Sequence, residues 1–110
     1  MDTRTKILPW ADFAQTAGTK VAGYFDPLTV EHADRLQELA AANGPLCIAI
    51  YEPEQALLPA EARAMLMASL DCVQAVSVAQ AELPDAIDVR SEDLARRDRM
   101  MAHVHSRHGR

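Results

Sequence analysis

Apolar positions along this chain follow two rhythms, and the switches between them mark out the elements. From Val30 to Asn43 the apolar residues Ala33, Leu36, Leu39 and Ala40 recur every three or four positions, while Asp34, Arg35, Gln37 and Glu38 fall on the other side, which predicts an amphipathic helix. Asn43-Gly44-Pro45 ends it, because Gly supplies a left-handed residue and Pro cannot continue the helix. Leu46 to Tyr51 (LCIAIY) is a continuous apolar run, the pattern of a parallel strand covered on both faces. A second helix opens at Leu58-Pro59-Ala60-Glu61, with apolar positions at Ala62, Met65, Leu66 and Leu70 around Ser69. Val73 to Val78 (VQAVSV) alternates more than the central run, as suits a strand nearer the edge of a sheet.

The flanks extend the same alternation. Trp10, Phe13 and Ala14 have helical spacing behind Pro9 and predict a short covering helix, broken by Thr16-Ala17-Gly18-Thr19 before a first strand over Lys20 to Tyr24. Beyond the loop Glu82-Leu83-Pro84-Asp85, Ala86 to Val89 reads as a short fourth strand. Ser91-Glu92-Asp93 then reads as an N-cap followed by first-turn acids of a last helix through Leu94, Arg97, Met101 and Val104. Strands and helices alternating at this spacing imply βαβ units with right-handed crossovers. The expected architecture is one α/β domain over residues 1–110, a small Rossmann-like three-layer fold with a parallel sheet of three to four strands.

Composition narrows the function classes. The chain has 110 residues, 49% of them hydrophobic and only 5% aromatic, so its core is built from Ala, Leu, Val and Met. Eleven basic against sixteen acidic residues leave a net charge of -5, without the concentrated basic patch that nucleic acid or an anionic membrane surface requires. No run approaches the roughly 20 apolar residues of a membrane span, and Met1-Asp2-Thr3-Arg4 opens no secretory leader, so a cytoplasmic location is expected. Cys47 and Cys72 have no CxxC or metal spacing and read as free thiols. His103, His105 and His108 read as a solvated basic helix end, and Arg96-Arg97 with Arg99 as surface pairs. No metal ligands are assigned.

The chemistry concentrates in Lys20 to Leu36, KVAGYFDPLTVEHADRL, where a strand passes through Gly23 and the turn-like Phe25-Asp26-Pro27 into the helix starting near Val30. Such a junction leaves the first helical N–H groups unpaired beside a positive dipole end, an arrangement that favours an anion. The bland alternative is a capped βα turn with a surface His. The functional one is a phosphate pocket into which Thr29 and His32 point, His32 donating to a phosphoryl group.

The decapeptide Gly23-Tyr24-Phe25-Asp26-Pro27-Leu28-Thr29-Val30-Glu31-His32 resembles the signature of the cytidylyltransferase-like nucleotidyltransferases, a G-x-F-D turn followed by H-x-G-H or T-x-G-H. Thr29 and His32 match the T-x-x-H form, as in phosphopantetheine adenylyltransferase. Lys6-Ile7-Leu8 leading into Lys20-Val21, and Leu58-Pro59-Ala60-Glu61-Ala62-Arg63 through Val76, resemble the heptose 1-phosphate adenylyltransferases, so the similarity runs from about Lys6 to Val78. The resemblance implies a protein that binds a nucleoside triphosphate and transfers a nucleotidyl group to a phosphorylated small molecule such as a sugar phosphate, releasing pyrophosphate. It assigns catalysis to His32 and Thr29, nucleotide binding to Gly23, Tyr24, Phe25, Asp26 and Lys20, Mg²⁺ to an active form, and a homodimer as the assembly.

The chain departs from that pattern in three places. Glu31 stands where the motif has Gly, and a carboxylate about 5 Å from a phosphate costs about 3 kcal/mol at an effective dielectric near 20. The family's later Ser/Thr-rich motif is replaced by Arg90-Ser91-Glu92-Asp93-Leu94, and a strand-and-loop region is missing. These departures keep a second expectation open, an inactive relative serving as a ligand-binding or dimerising module.

Overall fold

The structure, a computed structural model, describes residues 3–26 and 28–108, without the side chains of 101–108. Strands β1 (Thr19–Gly23), β2 (Leu46–Ile50), β3 (Val73–Val78) and β4 (Ile87–Asp88) form one parallel sheet in the order β3-β2-β1-β4. Helices α1 (Trp10–Gln15), α2 (Val30–Asn43), α3 (Ala60–Ala68) and α4 (Arg90–His108) complete a Rossmann-like α/β fold. The expected α2 and β3 agree with the structure residue for residue, and the short fourth strand pairs with β1.

Register explains the continuous apolar run. β2 pairs with β1 on one side and β3 on the other, and all five of its residues are buried. Val21, Ile48 and Val76 are aligned across the sheet and pack with Leu36 and Leu39 of α2 and Met67 of α3. The opposite face is made of small residues, Cys47, Ala49 and Ala75, against Phe13 of α1. They are small because little covers them: α1 is six residues long, and Trp10 stacks on Phe13 at 5.4 Å to widen the lid. β3 is an edge strand, as its alternation implied. The N-terminal segment seals that edge: Leu8 N–H donates to Val76 O at 2.8 Å, and Ser77 Oγ donates to Leu8 O at 2.7 Å.

Two sequence expectations are corrected. The stripe Ala62-Met65-Leu66 does not face the sheet; Met65 and Leu66 are exposed, and Arg63, Ala64, Met67 and Ala68 are buried instead. Two alanines let α3 lie close to β2 and β3, and Arg63 has a polar task described below. Ser91 is not the cap of α4, because the helix already begins at Arg90, whose N–H donates to Asp88 Oδ1 at 3.0 Å. Cys47 and Cys72 are free, the first buried and the second half-buried. Among the described residues no helix is long and apolar enough to cross a membrane. The histidine cluster of the tail and Met101 have side chains outside the described residues.

Ile48 has apolar partners on both neighbouring strands, so Ile48→Ala is expected to cost about 2–5 kcal/mol. Met65→Ala on the exposed side of α3 should stay within about 0.5 kcal/mol, both read by urea denaturation.

Candidate functional site

Gly23 closes β1 at the carboxyl edge of the sheet, and the chain turns there through Tyr24, Phe25 and Asp26 towards α2. Gly is required at 23 because a Cβ would lie 2.5 Å from the Phe25 ring and 2.8 Å from Asp93 Oδ2. Phe25 has φ +50, a left-handed value that a bulky side chain rarely takes, and its ring is buried edge-on to His32 at 5.7 Å between centroids. Gln55, in the loop after β2, has φ +55. Both of these strained non-glycine residues border the same corner, which is where functional sites keep strain.

Thr29 caps α2, and its partnership with His32 fixes the imidazole. His32 N–H donates to Thr29 Oγ1 at 3.4 Å, and Thr29 N–H donates to His32 Nδ1 at 3.0 Å, a reciprocal capping box. Because Nδ1 accepts, the proton of the neutral ring is assigned to Nε2. That nitrogen is aimed at α4 and lies 3.0 Å from Asp93 Oδ1, off the line of a hydrogen bond. Arg96 Nη1 stands 3.7 Å from the same oxygen, equally without a hydrogen bond.

The other carboxylate oxygen explains why Asp93 is there. Asp93 Oδ2 accepts the N–H groups of Tyr24 at 2.8 Å and Phe25 at 3.3 Å, so the two amides of the turn hold an anionic oxygen supplied by the protein itself. Asp93 and His32 are each 3% exposed. Between His32 and α4 lies a cavity of about 10 Å³ lined by Asp26, Thr29, His32, Arg96, Arg97 and Met100. An open groove of about 380 Å³ adjoins it on the outer side of Arg96.

The structure thus brings together Gly23, Tyr24, Phe25, Thr29 and His32. Asp26 is close by, but its carboxylate is turned to the loop after β2, accepting Leu57 N–H at 2.6 Å and Leu58 N–H at 2.8 Å. Lys20 lies elsewhere: its ammonium donates to Thr16 O and sits over the Phe13 ring on the α1 face. Glu31 is not the uncompensated charge expected from the sequence, since Arg96 Nε and Arg99 Nη2 each stand 3.3 Å from its Oε2. Arg96 and Arg97 are correspondingly more than loose surface pairs. Arg97 donates to Gln55 O at 2.8 Å and Glu54 O at 3.3 Å and lies 3.9 Å from Asp26, fastening α4 to the β2–α3 loop.

Sequence reasoning left two residues here without their role. Asp93 read as a dipole-matching acid, and nothing local distinguishes an acid in water from one seated on amides 69 positions away. Arg63 was legible as a lone cation among Ala60, Ala64 and Met67 on one helix face. It is 0% exposed and donates to Tyr24 O at 3.0 Å, Tyr51 O at 2.9 Å, Leu58 O at 3.1 Å and the Glu52 carboxylate. One guanidinium therefore holds the chain exits from β1 and β2 together.

At the start of α4, Arg90 pairs with Asp88 and Glu82 and lies over the Tyr51 ring at 4.5 Å. Hydrogen bonds from Arg90 hold the Asp88 carboxyl below its usual value. The small stabilisation of this exposed pair is present above the unfolded carboxyl pKa, about 4, and is lost as pH falls below it. Among the described residues no group of three or more His, Cys, Asp or Glu is arranged to hold a metal ion. Comparison with known protein families and with curated proteins finds no match to the chain.

Arg63→Ala is expected to destabilise the fold by about 3 kcal/mol or more, since it strands three carbonyls and a carboxylate. Glu52→Gln, which keeps an acceptor on a half-exposed side chain, should cost under about 1 kcal/mol in the same denaturation experiment.

Proposed function

We propose that this chain is a nucleotidyltransferase-like module that takes the phosphate groups of a nucleoside triphosphate, or of a phosphorylated small molecule, at the β1–α2 turn. It binds without turnover, the ligand-binding alternative of the resemblance. The Tyr24 and Phe25 amides carry this reading, because they already hold an anionic oxygen with His32 Nε2 3.0 Å from the same carboxylate. A phosphoryl group makes the same demand: converging N–H donors beside a helix start. The motif Gly23 to His32 adds the nucleotide through its likeness to cytidylyltransferase-like enzymes.

A second reading, nucleotidyl transfer to a phosphorylated acceptor with release of pyrophosphate, is favoured by the tautomer of His32. Nδ1 accepts from Thr29, so Nε2 carries the proton towards the site, the form that donates to a transferring phosphate. In that reading His32 and Thr29 are the catalytic pair. A resident Mg²⁺ does not fit the residues present, because Asp26 and Asp93 are engaged by backbone amides and Glu31 by two arginines. Mg²⁺ would belong to the triphosphate. A cytoplasmic setting and a homodimer, built on the exposed Met65 and Leu66 of α3, belong to the same proposal.

Calorimetric titration with ATP and with CTP, each with Mg²⁺, tests both readings. Binding at or below about 1 mM without pyrophosphate release supports the binding module. Pyrophosphate release that His32→Ala abolishes supports the enzyme, and no binding of either nucleotide removes the nucleoside triphosphate from both readings. Glu31→Gly frees Arg96 and Arg99 for the ligand and should tighten binding about tenfold; an unchanged affinity would remove Glu31 from the account.

A further inference from the structure

Helix α4 is attached unlike the other long helices. α2 and α3 bury Leu36, Leu39 and Met67 against the sheet, whereas from Arg90 to Met100 the only buried side chain of α4 is Asp93. Over the same described side chains its other attachments are mainly polar: Arg96 and Arg99 to Glu31, Glu92 to Arg35 at 3.2 Å, and Arg97 to the carbonyls of Glu54 and Gln55. Contacts of that class are individually weak and screened by salt. The helix is fixed at its base, where Val89 is buried, Val89 N–H donates to Ala22 O at 2.8 Å and Arg90 is held by Glu82 and Asp88.

The space under α4 is informative. The cavity of about 10 Å³ beside His32 has room for about one water-sized atom, far too little for a phosphoryl group. His32, which lines it, has Nε2 buried without a hydrogen bond, as is Asp93 Oδ1 3.0 Å away, and the 380 Å³ groove alongside shares Thr29, Arg96 and Met100 with the cavity. Donors for an anion are therefore assembled beneath a helix that excludes one, and a route in lies beside them.

We propose that α4 is an internal plug: Asp93 occupies the place of a phosphoryl oxygen, and a phosphate-bearing ligand binds by lifting the first turns of α4 about Val89–Arg90. Resting on the phosphate-binding reading above, it adds the regulation of that site. The ligand takes over the Tyr24 and Phe25 amides and His32 Nε2, and Arg96 and Arg99 exchange Glu31 for the ligand.

The test uses the full chain with inorganic pyrophosphate and with ATP, each with Mg²⁺, followed by calorimetry and by amide hydrogen exchange. Asp93→Asn, which removes the competing charge, should bind pyrophosphate at least tenfold tighter than the wild type. Arg97→Ala loosens α4 without touching the two amides and should tighten binding a few-fold. In the wild type, ligand should speed exchange in α4 while Tyr24 and Phe25 stay protected. Equal affinities in all three proteins, with α4 exchange unchanged by ligand, overturn the plug and leave the binding reading standing. Failure of both probes to bind any of the three overturns that reading and the plug with it. Tightening for pyrophosphate alone keeps the plug and removes the nucleoside from the ligand.

Discussion

Two backbone N–H groups, those of Tyr24 and Phe25, converge on one point at the carboxyl edge of the sheet, and the corner is built around giving them an acceptor. Buried amides without partners are rare in native proteins because each forfeits its hydration. Gly23 makes room for this turn by letting the Phe25 ring fold under the strand end, and both amides then reach the same carboxylate oxygen. Asp93 meets the demand from far along the chain. Its seating then orders what surrounds it: His32 is held by Thr29 with Nε2 towards the carboxylate, and Arg96 spans Asp93, Glu92 and Glu31.

Arg63 is the complementary solution for carbonyls. The backbone leaving β1 and β2 presents oxygens at Tyr24 and Tyr51 that have run out of sheet to bond to, and a planar guanidinium offers its donors to both while reaching Leu58 and Glu52. The two charges are tied to the same residue, since Tyr24 gives its N–H to Asp93 and its carbonyl to Arg63. Arg63 comes from α3, packed against the core, and Asp93 from the part of α4 whose described side chains are held mainly by ion pairs. The permanent half of the corner and the releasable half thus differ in what anchors their helices.

Short-range patterns were legible in the sequence and long-range polar contacts were not. Period and punctuation located α2, β2 and β3, because Leu36 and Leu39, the run Leu46 to Tyr51, one residue longer than the strand, and the alternation around Gln74 each report local burial. The same rule chose the wrong face of α3, where Met65 and Leu66 are more hydrophobic than Ala64 and Ala68 yet too large for the close approach to the sheet. Lys20 was separable in principle: Val21 faces the α2–α3 core, so strand parity turns Lys20 to the other side. For the site itself, the T-x-x-H spacing disclosed the Thr29–His32 pair, which is local to one helix turn. Asp93 and the arginine bridges to Glu31 join segments more than sixty residues apart, and no spacing rule reaches that far.

The acidity of the corner also has a different meaning once each carboxylate is seen with its partner. Taken alone, Asp26, Glu31 and Asp93 would repel a phosphate. In the fold each is engaged by donors of the protein, Asp26 by two amides of the β2–α3 loop, Glu31 by two arginines and Asp93 by two amides of the turn. An incoming anion is opposed mainly by competition for those donors rather than by bare charge at a distance. In the proposed exchange, donors given up by Asp93 are gained by the ligand, so the net cost falls on the carboxylate left behind. Asp93, unlike Asp26, belongs to a helix that can carry it back into water, where ionisation costs nothing.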